Sequence, residues 1–272
     1  MPPAEGGVFL ETGVPAKARP CVRLLIAAAG VVIWGYFQAV SGGLLSFIDD
    51  FIPRYALAGL PALLPALLFW RLVSPVAGVL GVREGRAAAA SAAALFLPFA
   101  VLALRFGLEY QGISGRWFLF AVSLLLLAAW EEIVCRGFLM DCLSFRKSRL
   151  TGLLLSSAVF SMMHLGNENA SAAGLANIFL AGALFGMLRI VTGGLWYPVA
   201  VHWLWNLLTG MVFGWNVSGH ILMPSLFRPV TSPPWGGFGP EESFLMTVGT
   251  VGGMLVLLKR IYSPDDEAHP GT

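Results

Sequence analysis

Residues 116–136 read RWFLFAVSLLLLAAWEEIVCR. From Trp117 to Trp130 no residue carries a charge. The run then enters two adjacent carboxylates, Glu131 and Glu132, and Arg136, with no Gly or Pro to break it. A helix needs about 20 predominantly apolar residues to cross about 30 Å of hydrocarbon, whereas barrel strands alternate over about 10. The stretch therefore predicts a transmembrane helix over 116–140 that carries ionisable groups into the bilayer. Each such group costs about 2.5–3.5 kcal/mol on insertion scales, so it needs a partner, a water-filled cavity or a chemical task.

Outward from this helix the chain reads the same way. Of its 272 residues 57% are hydrophobic and 12% charged, too few charges to coat a water-soluble fold. Further spans are predicted over 24–48, 56–80, 87–108, 150–166, 172–191, 195–215 and 243–260. The expectation is an all-α membrane protein, a bundle of about eight transmembrane helices with a polar catalytic cavity in the membrane. Pro61, Pro65 and Pro98 fall inside spans, where neighbouring helices re-satisfy the freed carbonyls. Residues 1–20 are expected to form a disordered N-terminal segment, 21–262 a single transmembrane helical domain and 263–272 a C-terminal tail. The stretch 217–242, with Pro233-Pro234-Trp235-Gly236-Gly237, predicts an outer loop or cap.

Charge and cysteine usage narrow the function classes. A formal net charge of +2, with basic residues scattered in short loops, predicts no nucleic-acid partner. Cys21, Cys135 and Cys142 form no C-x-x-C pair, so neither a disulfide framework nor a cysteine metal site is expected. The apolar run from Leu24 to about Ile48 is too long for a signal-peptide core and reads as a retained first span. Basic clusters at Lys17, Arg19 and Arg23, at Arg83 and Arg86, at Arg146, Lys147 and Arg149, and at Lys259 and Arg260 share one side. By the positive-inside rule both termini are cytoplasmic, in the plasma membrane if the source is bacterial, against single arginines at Arg54, Arg105, Arg116 and Arg228.

Three polar sites lie in predicted spans. Glu132 and Arg136 are four residues apart and share a helical face, where they can pair, while Glu131 is rotated about 100° away. Phe160 precedes His164 by four residues near the end of another span. His202 and Asn206, also four apart, share a face of a third. Alone, a Glu–Arg pair is more often structural and a buried histidine more often a satisfied core group. Together, a carboxylate, two imidazoles and an amide can activate a water and stabilise an oxyanion. Equally, Glu131, His164 and His202 can hold Zn2+ or another divalent metal with a position open to water. Helix rise of about 1.5 Å per residue sets His164 deeper than Glu131 and His202, so convergence demands a fourth span that starts later than Arg116, strongly tilted helices or a different edge at Leu150. His220 and His269 fall in the loop and the tail and carry no assignment.

The ordered trio of Glu131-Glu132-x-x-x-Arg136, Phe160-x-x-x-His164 and His202-x-x-x-Asn206 resembles the CPBP family, the CAAX prenyl protease type 2 and bacteriocin-processing group, also called Abi. The resemblance covers a core of about 116–260. It implies an intramembrane endopeptidase cutting a membrane-associated peptide or prenylated protein. It further implies Glu131 as general base aided by His164, His202 and Asn206 as oxyanion stabilisers, and Glu132, Arg136 and Phe160 as site-shaping residues. Family members are commonly named metalloproteases, and metal-free glutamate-dependent hydrolysis is also argued for them, so the resemblance leaves both schemes open. The alternative is a non-catalytic membrane scaffold or bacteriocin-immunity factor that uses the same polar cluster for helix packing. A small-solute transporter is disfavoured, because the two halves show no matching interrupted helices.

Overall fold

The computed structural model describes residues 84–144, 148–222 and 224–262, together with Leu57. Apart from Leu57, the predicted spans 24–48 and 56–80, the N-terminal segment, Cys21, His269 and the tail lie outside these residues. The other six predicted spans each fall on a helix. Among the described residues four helices are long and apolar enough to cross a membrane: α1 (Gly85–Phe106), α2 (Trp117–Cys142), α4 (Ala172–Thr192) and α6 (Phe244–Tyr262, apolar over Phe244–Ile261). Two shorter ones stand with them, α3 (Arg149–Met162) and α5 (Trp196–Asn206), the latter continued by a π-helical stretch, Leu207–Val212.

Helix edges depart from expectation where the local chemistry changes. α3 stops at Met162 rather than 166, because His164 to Ala170 form consecutive turns around Gly166, Asn167 and Asn169. α2 runs as α-helix to Glu132, opens into a π-helix over Ile133–Leu139 and closes as α-helix over Met140–Cys142. Such π segments recur at functional sites, since the widened turn re-aims side chains. N-caps are built where the sequence allows them: Ser148 accepts from Thr151 N and Ser171 from Gly174 N.

The described residues are mostly helical, as expected of an all-α membrane protein. Short strands lie in the connections: β1 (Leu108–Tyr110) pairs antiparallel with β4 (Phe227–Pro229), and β2 (Asn216–Val217) with β3 (His220–Ile221). Strands of two or three residues carry too little alternation to be read from sequence. The predicted outer loop thus folds into a cap of two small ladders and one 3-10 turn, Pro240–Glu242.

Packing is solved inside the bundle by apolar and small residues, while Phe118, Leu119 and Val122 of α2 and Leu97, Val101 and Leu104 of α1 face outward, as expected of a fold solvated by lipid. One core centres on Trp130, Phe138, Phe160 and Met211, the other on Phe99, Leu184, Leu188 and Trp205. At one end Arg260 Nε meets Glu84 Oε2 at 2.6 Å, closing α6 against the start of α1. The cap lies at the opposite end.

Candidate active site

The α-to-π transition of α2 sets two carboxylates side by side in the interior. Glu131 is 6% exposed, Glu132 and Arg136 0%. Arg136 Nη1 donates to Glu132 Oε1 at 3.0 Å, realising the pair expected from the spacing. The guanidinium lies over the Phe160 ring at 4.2 Å and the Phe185 ring at 5.4 Å, an arrangement that adds cation–π attraction where water is excluded. Room for it comes from Gly182, where a Cβ would stand 2.9 Å from Arg136 Nη2.

His202 joins this pair from α5. Its Nδ1 lies 2.9 Å from Glu132 Oε1, the same oxygen that receives Arg136. A carboxylate paired with a guanidinium is an acceptor, so Nδ1 carries the hydrogen. Nε2 then faces Glu131 Oε2, 3.6 Å away, which is longer than a hydrogen bond. The ring is stacked on Phe185 at 5.1 Å and met edge-on by Phe160 at 5.8 Å. Three contacts fix the imidazole, and its free edge looks toward Glu131.

His164 sits in the turn just beyond α3. Its Nδ1 lies 2.8 Å from the Phe160 carbonyl, which only accepts, so Nδ1 is protonated and Nε2 keeps a lone pair. Phe160 touches both histidines and Arg136, so the site-shaping position named from sequence is the aromatic centre of the cluster.

Glu131, His164, His202 and Asn206 line one cavity of about 300 Å³, with Leu124, Leu127, Met163, Val217 and Leu222 as its apolar wall. The depth mismatch expected from straight helices does not keep the four apart: all of them line the same cavity, His164 from the turn just beyond α3. The cavity is at the small end of ligand-binding volumes, room for a few side chains. Glu132 and Arg136 stand behind it rather than in its lining.

Sequence reasoning missed the cap's contribution. Asn167, Ser218 and His220 also line the cavity. Asn167 Nδ2 donates to the Ser218 carbonyl at 2.9 Å, joining the α3–α4 turn to the β2–β3 turn. Burial pushes the His220 imidazole down, opposed by the Glu168 carboxylate. A loop histidine with no neighbour pattern gives no signal until the loop is folded back.

Among the described residues no three His, Cys, Asp or Glu side chains gather closely enough to hold a metal ion. The Nδ1 atoms of His164 and His202 bond the Phe160 carbonyl and Glu132, the outer bonds that metal-ligating histidines make, which leaves each Nε2 and the Glu131 carboxylate as the atoms that would hold a metal. Cys135 and Cys142 are buried and outside any disulfide, packed as small hydrophobes.

Comparison with known proteins places part of the chain. Residues 113–208 match the family model of the type II CAAX prenyl endopeptidases, Rce1-like. That segment holds all three motifs, from Glu131 to Asn206, and agrees with the resemblance they carry. No match was found among curated proteins or among solved structures.

Proposed function

With residues 113–208 Rce1-like, we propose that this membrane protein is an intramembrane endopeptidase in which Glu131 activates a water against a peptide bond of a membrane-associated protein or peptide. The observation that carries the reading is the convergence of Glu131, His164, His202 and Asn206, from separate helices and turns, on one cavity. Glu131 takes a proton from the water as its oxygen attacks the carbonyl carbon. His164 Nε2, held with its lone pair inward, orients that water. Asn206 donates its amide hydrogens to the oxyanion. His202 adds an Nε2–H to the oxyanion when its ring carries a proton on each nitrogen. When the C–N bond breaks, the proton on Glu131 passes to the leaving amine, which restores the carboxylate. No step in this scheme passes through a metal.

The test is a comparison of membrane proteomes with wild type and Glu131→Gln. Removing a general base lowers the rate by about 10²–10⁴-fold. Peptide termini present only with wild type, with equal insertion of the variant, are expected; full cleavage by Glu131→Gln overturns the proposal.

A further inference from the structure

Glu241 takes no part in the scheme above, yet it is among the most buried acids of the described residues. It sits in the single 3-10 turn of the cap, 1% exposed. Its Oε1 accepts from Trp205 Nε1 at 3.0 Å and from Ser218 Oγ at 3.5 Å, while Oε2 has no hydrogen-bond partner among the described residues. The groups that face it are Trp205 of α5 and Ser218 of the β2–β3 turn, with Asn177 of α4 on its backbone. None of them is charged. Asn177 Nδ2 donates to the Glu241 carbonyl at 2.7 Å and Asn177 Oδ1 accepts from Thr247 at 2.7 Å, which fixes the backbone of the turn. The adjacent Glu242 is turned away, accepting from Phe238 N at 3.2 Å. A buried acid with no cation and a bare oxygen is costly, and such groups are kept where they do something.

What Glu241 touches defines that task. Ser218 is a lining residue of the cavity, held at φ 47, with Gly219 beside it at φ 89. Gly219 N donates to the Phe238 carbonyl at 2.9 Å, and a Cβ there would run into the backbone of Glu168. Trp205 immediately precedes Asn206, and its ring is wedged by Phe99, 5.0 Å away and edge-on.

We propose that Glu241 is a positioning residue for the cavity, its carboxyl tying the β2–β3 turn, and with it Ser218 and His220, to Trp205 of the helix that carries His202 and Asn206. The consequence for hydrolysis rests on the reading of the cavity given above; the tie itself does not. Burial pushes this carboxyl from 4.5 up to about 7. The docked turn therefore keeps a proton that the released turn gives up. The tie is at full strength below the ordinary glutamate range, weakens as pH rises toward about 7 and is level above it.

Hydrogen exchange of the full chain in detergent, corrected for intrinsic rates, tests this with wild type and Glu241→Gln between pH 5 and 8. In wild type, amides across 216–221 are expected to lose about tenfold or more in protection on going from pH 5 to pH 7, with the β1–β4 ladder as unchanged reference. Glu241→Gln keeps an acceptor for Trp205 but cannot ionise, so its profile should be flat. A flat wild-type profile, or the same fall in both proteins, overturns the proposal. Should Glu241→Gln not fold, Trp205→Phe removes the donor instead: protection across 216–221 at pH 5 should drop while the β1–β4 ladder holds, and unchanged protection overturns it. Neither readout needs a substrate, so a chain that cuts nothing can pass and an active enzyme can fail.

Discussion

Arg136 is wholly buried, and its hydrogen-bonding partner Glu132 is shared with His202 through one oxygen. The guanidinium's Nε and Nη2 have no hydrogen-bond partner among the described residues, and two aromatic faces take their place. Removing one member of such a pair strands the other charge. Arg136→Met is therefore expected to cost about 3–5 kcal/mol, while the double change with Glu132→Gln recovers much of it. Thermal unfolding of the four proteins in detergent gives the cycle; an unaltered midpoint in Arg136→Met contradicts the account. Glu131→Gln should leave that midpoint near wild type and remove only cleavage, which separates the acting carboxylate from the supporting one. Sequence alone gives the Glu132–Arg136 pair, because four residues make one helical face. It does not give the His202 bond, which joins residues 70 apart and depends on how two helices meet.

Between elements, close approach is set by small residues. Gly152 of α3 lies where a Cβ would collide with the Met140 carbonyl of α2, and Gly182 of α4 where it would stand 3.1 Å from Ser157 Cβ of α3. Helices in lipid gain from such contact, since apolar surface alone does not drive them together. Gly152→Ala must push α3 off α2 and should destabilise by about 1–3 kcal/mol. Gly166→Ala enters open space and should stay within about 0.5 kcal/mol. Unfolding midpoints of the two variants decide the matter, and equal shifts would refute the packing argument. The helices themselves were readable, because long apolar runs permit little else in a bilayer. The π-helical opening after Glu132 and the four short strands were not: neither leaves a periodic trace, and each exists only because a partner element is present.

At the scale of the molecule, the chain's up-and-down course puts Arg86, Arg149, Lys259 and Arg260 at one end and the β1–β4 and β2–β3 ladders at the other. The cavity is lined by Asn167, Ser218 and His220, so it lies toward the cap end. If the basic end is cytoplasmic, as the positive-inside rule has it, the cavity lies toward the other compartment. That sidedness bears on the substrate, because a lipidated tail on a cytoplasmic protein would have to reach a site at the far end, whereas a translocated peptide would meet it directly. Arg105, Arg116 and Arg228 stand at the cap end and weigh against this orientation, so it calls for a direct measurement. Ile221 is 70% exposed on β3, and Arg260 marks the opposite end. In a background with Cys21, Cys135 and Cys142 replaced by Ser, a membrane-impermeant thiol reagent should label Ile221→Cys in intact cells and Arg260→Cys only after permeabilisation. The reverse pattern would turn the cavity to the cytoplasm and with it favour cytoplasmic lipidated tails.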